Sequence, residues 1–261
     1  MTEPGLWNQL LIWPIINVLI AFYTLFERLH FPGPLGFSVL ALTIVIRLLL
    51  YPLMASQMKS AKKMQNLKPH LDALSQKHKN DKQALQKAQL ALYQEHGVNP
   101  AAGCLPLLIQ MPVLIALYNV FYQVLQNGNM GKLVADINNV VYVPFLKISS
   151  LDLTFLGINL GIKPSQWQTD GWWLLGVPLA TAALQWWQSK LMLPQTATPP
   201  ADAKALAGKE DTAAEMQKQM ALITPVMFGV FAFQFPLGLS LYWNVFGLFG
   251  IMQQLRINKE H

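Results

Sequence analysis

Charge is scarce in this chain. Only 12% of its 261 residues are Asp, Glu, Lys or Arg, whereas 53% are hydrophobic. A soluble domain carries about 25% charged residues, so this composition, with a mean hydropathy of +0.31, places the chain in a membrane. Cysteine is scarcer still. Cys104 stands alone, which excludes a disulfide framework and a multi-cysteine metal site. Five scattered histidines show no ligand spacing, so metal and redox chemistry are not expected. The opening MTEPGLWNQLL lacks a basic n-region, and no small-residue cleavage site closes the apolar run, so it is expected in the mature chain.

What is abundant is apolar length. A hydrocarbon core of roughly 30 Å asks for about 20 apolar helical residues. Segments 35–55, 103–126 and 171–192 meet that demand, and a run from 219 to 255 is too long for one span. Phe235-Pro236-Leu237-Gly238 divides it, because proline removes a helix donor and glycine permits a tight reversal. Five spans result, the last two being 219–235 and 238–256. They are separated by an inner loop 56–102, an outer loop 127–170 and an inner loop 193–218, with a tail at 257–261. The tract 195–215 is rich in Ala, Thr and Pro and reads as a flexible loop.

The N-terminal region 1–34 holds a sixth apolar segment, Leu6 to Phe26. Pro14 interrupts it, and Asn8, Gln9, Asn17 and Glu27 stud it. Leu10, Ile12, Ile16, Leu19 and Phe22 or Tyr23 recur at helical spacing, which favours an amphipathic helix lying in the membrane interface over a spanning one. Loop charges fix the orientation of the five spans. Fourteen lysines and arginines fall on one side and only Arg28, Lys132, Lys147 and Lys163 on the other. By the positive-inside rule the fourteen are cytoplasmic, with the N-terminus outside and the C-terminus inside. Those charges fit either placement of the first segment.

Loop 56–102 carries Lys59, Lys62, Lys63, Lys68, Lys77, Lys79, Lys82 and Lys87. Met64, Leu67, Leu71 and Leu74, then Leu85, Ala88 and Leu92, step by three and four on either side of His78-Lys79-Asn80-Asp81. Two amphipathic helices in an antiparallel hairpin are expected. The lysines satisfy the orientation rule, and the same charge suits a surface for anionic lipid, a ribosome or a nascent chain.

The remaining charge is Arg47, in VIRLLLYPL. It stands about eight residues, or about 12 Å, from the inner end of its span, farther than snorkelling relieves. None of the five spans contains Asp or Glu, so no ion pair is available inside the membrane. An arginine facing a hydrated cavity remains. Thr43 lies one turn earlier on the same face. Gln110, Asn119, Gln185, Ser240, Tyr242, Trp243 and Asn244 are polar or amphipathic groups in the other spans that suit such a cavity. Each equally suits a helix contact or an interfacial belt. The eleven methionines read as packing.

The stretches LTIVIRLLLYPL, KMQNLKPHLDALSQKH, LYQEHGVNPAAGCLPLLIQMPVLIALYNVF and ITPVMFGVFAFQFPLGLSLYWNVFGLFGIMQQ closely resemble the YidC/Oxa/Alb family of membrane protein insertases, over about 35–255. That resemblance implies an all-α integral membrane protein with a five-helix core, a cytoplasmic helical hairpin and an N-terminal interfacial helix. It also implies a hydrophilic groove open to cytoplasm and lipid and closed outward. The family's groove arginine falls on Arg47, its companion threonine on Thr43 and its motif glutamine on Gln110. The client-contacting aromatic pair falls on Tyr242 and Trp243, with Gln185 as a further groove member; Asn244, polar and next to that pair, is counted with the groove from the sequence itself. Implied partners are nascent membrane-protein clients, membrane lipids and the Sec translocon, in a bacterial plasma membrane. Unlike in some relatives, neither a large periplasmic domain before the core nor a lipoprotein-type cysteine is expected here. Long basic tails assist ribosome docking in some relatives, and the short tail leaves that docking open. An insertase forms no covalent bond and needs no cofactor. A small-solute transporter using Arg47 is the competing class, but the internal repeats it calls for are not evident.

Overall fold

The computed structural model describes residues 2–78, 81–98, 105–127, 130–192 and 212–259. Lys79 and Cys104 lie outside them, as does most of the 195–215 tract. The described residues are helical apart from one short hairpin and the segments that flank it. A π-helical turn, Asn8–Ile12, runs into α1 (Trp13–Arg28), and a tight turn with Gly33 at φ +80° leads to α2 (Pro34–Asn66). Then come α3 (Lys68–Lys77), α4 (Lys82–Glu95), α5 (Leu105–Asn127) and α6 (Met130–Val140). Strands β1 (Thr154–Phe155) and β2 (Ile158–Asn159) pair antiparallel, Thr154 opposite Asn159. The short α7 (Trp167–Asp170) precedes α8 (Gly176–Met192), α9 (Thr212–Gln234) and α10 (Leu237–Lys259). The break between the last two falls at Phe235-Pro236.

Two of these helical stretches, Asn8–Arg28 and Pro34–Ser60, are long and apolar enough to cross a membrane, while α5 and α9 carry shorter apolar runs. Helix α10 packs on α2, α5 and α8, and α8 packs along α9. The α8–α9 approach is close: a Cβ on Gly229 would stand 3.2 Å from the Cβ of Ala182. Small residues at such contacts let helices approach where lipid, unlike water, supplies no drive to bury apolar surface. Elsewhere the bundle presents apolar side chains outward: Leu48 and Leu49 on α2, Leu179 on α8, Leu222 and Val226 on α9.

One end of the bundle is capped by the chain between α5 and α8. Leu133, Ile137 and Val140 of α6 are buried in the core. The Phe155 ring stands edge-on to Phe37, 5.3 Å between centroids, and lies over Gly36. Backbone N–H groups of Leu237 and Gly238 donate to Ile162 and Leu160 carbonyls at 2.9 and 2.8 Å, tying the α9–α10 turn to the same cap.

Helix α1 docks on this cap through polar bonds as well as apolar contact. Ile12, Ile16, Leu19, Ile20 and Tyr23 are buried, as the helical spacing predicts for most of them, whereas Leu10 is exposed. Asn17 Nδ2 donates to the Trp13 and Val140 carbonyls at 2.9 Å each, and its Oδ1 accepts from Tyr142 N–H at 2.8 Å. Tyr23 Oη accepts from Asp152 N–H at 2.9 Å. Asn17→Leu would leave the Val140 carbonyl and the Tyr142 amide unpaired. Each unmet group costs about 1–3 kcal/mol, so we expect a melting temperature several degrees below wild type in detergent and faster hydrogen exchange in residues 140–152.

At the other end, α2 continues beyond Ala55 to Asn66 because no breaker intervenes until Pro69 in the first turn of α3. Lys59, Lys62 and Lys63 therefore lie on α2, and the hairpin proper is α3 and α4. The expected polar break is present. Asp81 caps α4, its Oδ1 accepting from the Gln83 and Ala84 amides at 3.0 and 2.9 Å. Leu71, Leu74, Leu85, Ala88 and Leu92 are partly covered, Leu67 is buried, and Lys77 and Lys87 are exposed. The His70 and His96 rings meet edge-on, 6.1 Å apart.

Candidate functional site

Helix α10 is the hub of the site because successive residues on it face different neighbours. Tyr242 and Phe246, one turn apart, share a face and have ring centroids 5.8 Å apart. Tyr242 is fully buried, and its hydroxyl accepts a hydrogen bond from Gln110 Nε2 of α5. Phe246 receives Arg47 of α2: the guanidinium carbon lies 3.5 Å from the ring centroid, and one terminal nitrogen donates to the Phe246 carbonyl. A cation over an aromatic face gains from the ring quadrupole, more so when desolvated.

Arg47 is 6% exposed, and its Nε, also buried, has no hydrogen-bond partner. Five N–H donors cannot all be met by one carbonyl. The side chain is thus a buried cation with spare donors. Thr43, fully buried one turn away, spends its hydroxyl proton on the Val39 carbonyl at 2.6 Å.

Two glycines bring a third helix to Arg47. A Cβ on Gly250 would meet Gln188 Nε2 at 2.8 Å and an Arg47 terminal nitrogen at 3.0 Å. A Cβ on Gly247 would meet Gln185 Nε2 and Gln188 Oε1, both at 3.7 Å. Arg47 and the two α8 amides therefore converge over a strip of α10 that has no side chains. Gln188, Phe246, Gly247 and Gly250 escaped the sequence reading, though two carry a signal: Gln188 follows Gln185 by three residues and Phe246 follows Tyr242 by four, so each shares a helix face with a residue singled out.

The expected aromatic pair divides. Tyr242 faces Gln110 and Phe246, whereas Trp243 turns into the α9 aromatics, 5.2 Å from Phe228, 6.2 Å from Phe231 and 5.9 Å from Phe235 between centroids. Its indole N–H is buried without a partner, as are Ser240 Oγ and Asn244 Oδ1. Toward the hairpin end the polar strip continues: Gln57, Gln253 and Gln254 are buried, Gln57 has neither amide atom bonded, and Gln253 donates to the Tyr51 carbonyl at 3.5 Å. Of the lysines in 56–102, Lys59 and Lys63 of α2 and Lys77 and Lys87 of the hairpin are exposed, and Lys62 is half-buried. Lys68 and Lys82 sit at the starts of α3 and α4.

Among the described residues, no group of three or more His, Cys, Asp or Glu is placed to hold a metal. Around Arg47 the described residues offer hydrogen-bonding groups and the positive charge of the guanidinium.

Comparison with known proteins gives one consistent answer. The family model described as "60Kd inner membrane protein" matches residues 24–261. "Membrane protein insertase YidC 2" of Bacillus anthracis is 32% identical over 257 residues, covering 97% of this chain and 81% of that protein. "Membrane protein insertase YidC" of Fusobacterium nucleatum is 33% identical over 228 residues, covering 87% and 88%. The Helicobacter pylori J99 protein of the same name is 31% identical over 238 residues, and there the match spans only 35% of the relative. The crystal structure titled "Active YidC insertase crystal structure with the first transmembrane domain resolved" has a TM-score of 0.50 and 23% identity. It covers 95% of this chain and 46% of that one.

Proposed function

The chain belongs to the 60Kd inner membrane protein family, the YidC-type membrane protein insertases, and we propose that it inserts client proteins through the Arg47 site, with α2, α5, α8, α9 and α10 as its five spans. The single observation that carries this reading is a buried arginine with an unmet donor, in a set of apolar segments whose sequence holds no Asp or Glu. In hydrocarbon each unsatisfied polar group of a client's tail costs several kcal/mol. A polar strip running from Gln57 and Gln253 to Arg47 shortens the apolar path that tail must cross. Arg47 offers charge-assisted hydrogen bonds to its acidic side chains. The client's apolar helix then leaves sideways into lipid.

The placement of α1 along the outer face has physical support. Asn17, near the middle of the Asn8–Arg28 stretch, bonds to Val140 and Tyr142 backbone, and Tyr23 bonds to Asp152 N–H, so the chain from 140 to 152 follows α1 for about 9 Å at 1.5 Å per residue. That stretch is largely non-helical and exposes Lys147, Ser149 and Ser150. Were α1 upright in the bilayer, this backbone would lie at hydrocarbon depth, where irregular lipid-exposed chain does not occur. The capped end is then the outer one and the lysine-bearing hairpin cytoplasmic, with N-terminus outside and C-terminus inside, in the bacterial plasma membrane. Exposed Lys59, Lys63, Lys77 and Lys87 suit anionic headgroups or a nascent chain. The clients are nascent membrane proteins, taken alone or together with the Sec translocon; ribosome docking would fall to the same hairpin lysines.

The test is reconstitution of the purified protein in Sec-free liposomes, following both insertion of a single-span client and flux of small anions. Insertion without anion flux is expected. Anion flux without insertion would assign Arg47 to solute transport instead, and insertion appearing only on addition of the Sec translocon would make the protein its accessory.

A further inference from the structure

The Arg47 site accounts for the inner half of the path and leaves the outer half unexplained. Helices α8 and α10 both begin at the capped end, so they run in the same direction. Gln185 pairs in level with Gly247 and Gln188 with Gly250. The same offset carried outward sets Thr181 level with Trp243 and Asn244, and Pro178 level with Ser240. Ser240, Asn244 and Gly247 fall on one face of α10, and Thr181, Gln185 and Gln188 on one face of α8. From Gly250 to Ser240 this polar seam climbs about 15 Å at 1.5 Å per residue. Thr181 and Ser240 are fully buried, and Ser240 Oγ, Trp243 Nε1 and Asn244 Oδ1 all lack partners.

Buried hydrogen-bonding groups are ordinarily paired, and an unmet one in a dry interior is destabilising. Three such atoms within five residues of one helix are therefore a site waiting for a polar occupant. Ser240 and Asn244 share the α10 face on which Gly247 meets α8, so a chain entering between α8 and α10 would meet them. Parting the two helices against lipid satisfies neither, whereas parting them against an extended peptide satisfies both, so a polar chain selects the open state. We propose that the α8–α10 seam is the outward continuation of the Arg47 site, a track that hydrogen-bonds the backbone and uncharged polar side chains of a client's translocating segment between Arg47 and the outer cap. The proposal rests on the insertase reading and extends it. Asn244 Oδ1 and Ser240 Oγ accept from client amides.

The test uses disulfide trapping in proteoliposomes. With Cys104→Ser as background, single cysteines are placed by Ser240→Cys, Thr181→Cys, Gln188→Cys and Leu179→Cys, the last on the exposed side of α8. A client arrested midway carries one cysteine in its polar tail. Oxidation is expected to join the tail to Gln188→Cys, Thr181→Cys and Ser240→Cys and to leave Leu179→Cys free. Trapping at Gln188→Cys alone, or equally at Leu179→Cys, overturns the seam while leaving the insertase reading standing. Failure of the unmodified protein to insert the client in the same vesicles removes both. The double variant Thr181→Val/Ser240→Ala, which keeps the seam's volume, is expected to translocate long polar tails about tenfold more slowly without losing thermal stability. An unchanged rate counts against the track.

Discussion

Arg47→Met is expected to lower insertion of clients with acidic translocated tails by about 10- to 100-fold, because a hydrogen bond to a charged group contributes about 1.5–3 kcal/mol, while clients with neutral tails lose little. The methionine matches the aliphatic length of the arginine and keeps an apolar contact with Phe246, over which the guanidinium now lies. It removes a buried cation that has one carbonyl partner and an unpaired Nε. Replacing a poorly paired buried charge by a well-packed apolar group is often neutral or stabilising. The variant should therefore melt at or above the wild-type temperature in detergent while failing on acidic clients. Paired measurements separate the roles: a drop in melting temperature with equal losses for acidic and neutral tails would make Arg47 a structural residue. Arg47→Lys should recover part of the acidic-client rate, since it restores the charge without the planar fork.

That opposition between stability and function is what made the residue visible in the sequence. A lone arginine in a run without carboxylates can be found by counting, and the count needs no structure. Its neighbours could not be found in the same way. Tyr242 and Trp243 are adjacent in sequence, yet successive residues on a helix point about 100° apart, so one meets Arg47's ring partner and the other the α9 aromatics. Which of the two faces the site depends on how α10 is rotated against α2 and α8. Gly247 and Gly250 set that rotation by allowing close approach, and a glycine in a hydrophobic run carries no sign of what approaches it.

Helix positions were legible for the same reason that Arg47 was: hydrophobic length, prolines and the Phe235-Pro236 break are local signals. The cap formed between α5 and α8 was not. Asn17 meets Val140 and Tyr142 across more than 120 residues, and Asn138 closes a local loop onto Ile148 with bonds of 2.8 and 3.0 Å. Leu133, Ile137 and Val140 do step by four and three, a signal for α6 that the sequence reading passed over, whereas nothing periodic announces the β1–β2 hairpin. Asn17 itself read as a polar interruption of a greasy face, whereas it is the residue that joins α1 to the cap. Likewise α2 overran its expected inner end because the boundary drawn from hydropathy marks where lipid stops, and a helix stops only where its hydrogen bonds do.

Gly36→Ala is expected to loosen the capped end of the bundle, which the proposed orientation puts outside. A Cβ there would stand 2.0 Å from Phe155 Cδ2 and 2.7 Å from Phe155 Cβ, so the ring cannot escape by a small rotation and the β1–β2 hairpin must shift with it. Gly33, three residues earlier, blocks the retreat: its own missing Cβ would meet the Thr154 carbonyl at 2.6 Å, and its φ of +80° disfavours any other residue. Overpacking of this kind costs about 1–3 kcal/mol, and here the cost falls on the contact that holds the hairpin against α2. The expected result is a lower melting temperature together with proton or anion leak through proteoliposomes that wild type does not show. Phe155→Ala removes the obstructing ring, so the double variant Gly36→Ala/Phe155→Ala should be less destabilised than the sum of the two single changes, with a coupling of about 0.5–3 kcal/mol, the range for residues in contact. Strict additivity would mean that the hairpin does not bear on α2, and the closed outer end would then have to be sought in the Phe121 contact with Gly238, where an added Cβ meets the ring at 2.0 Å.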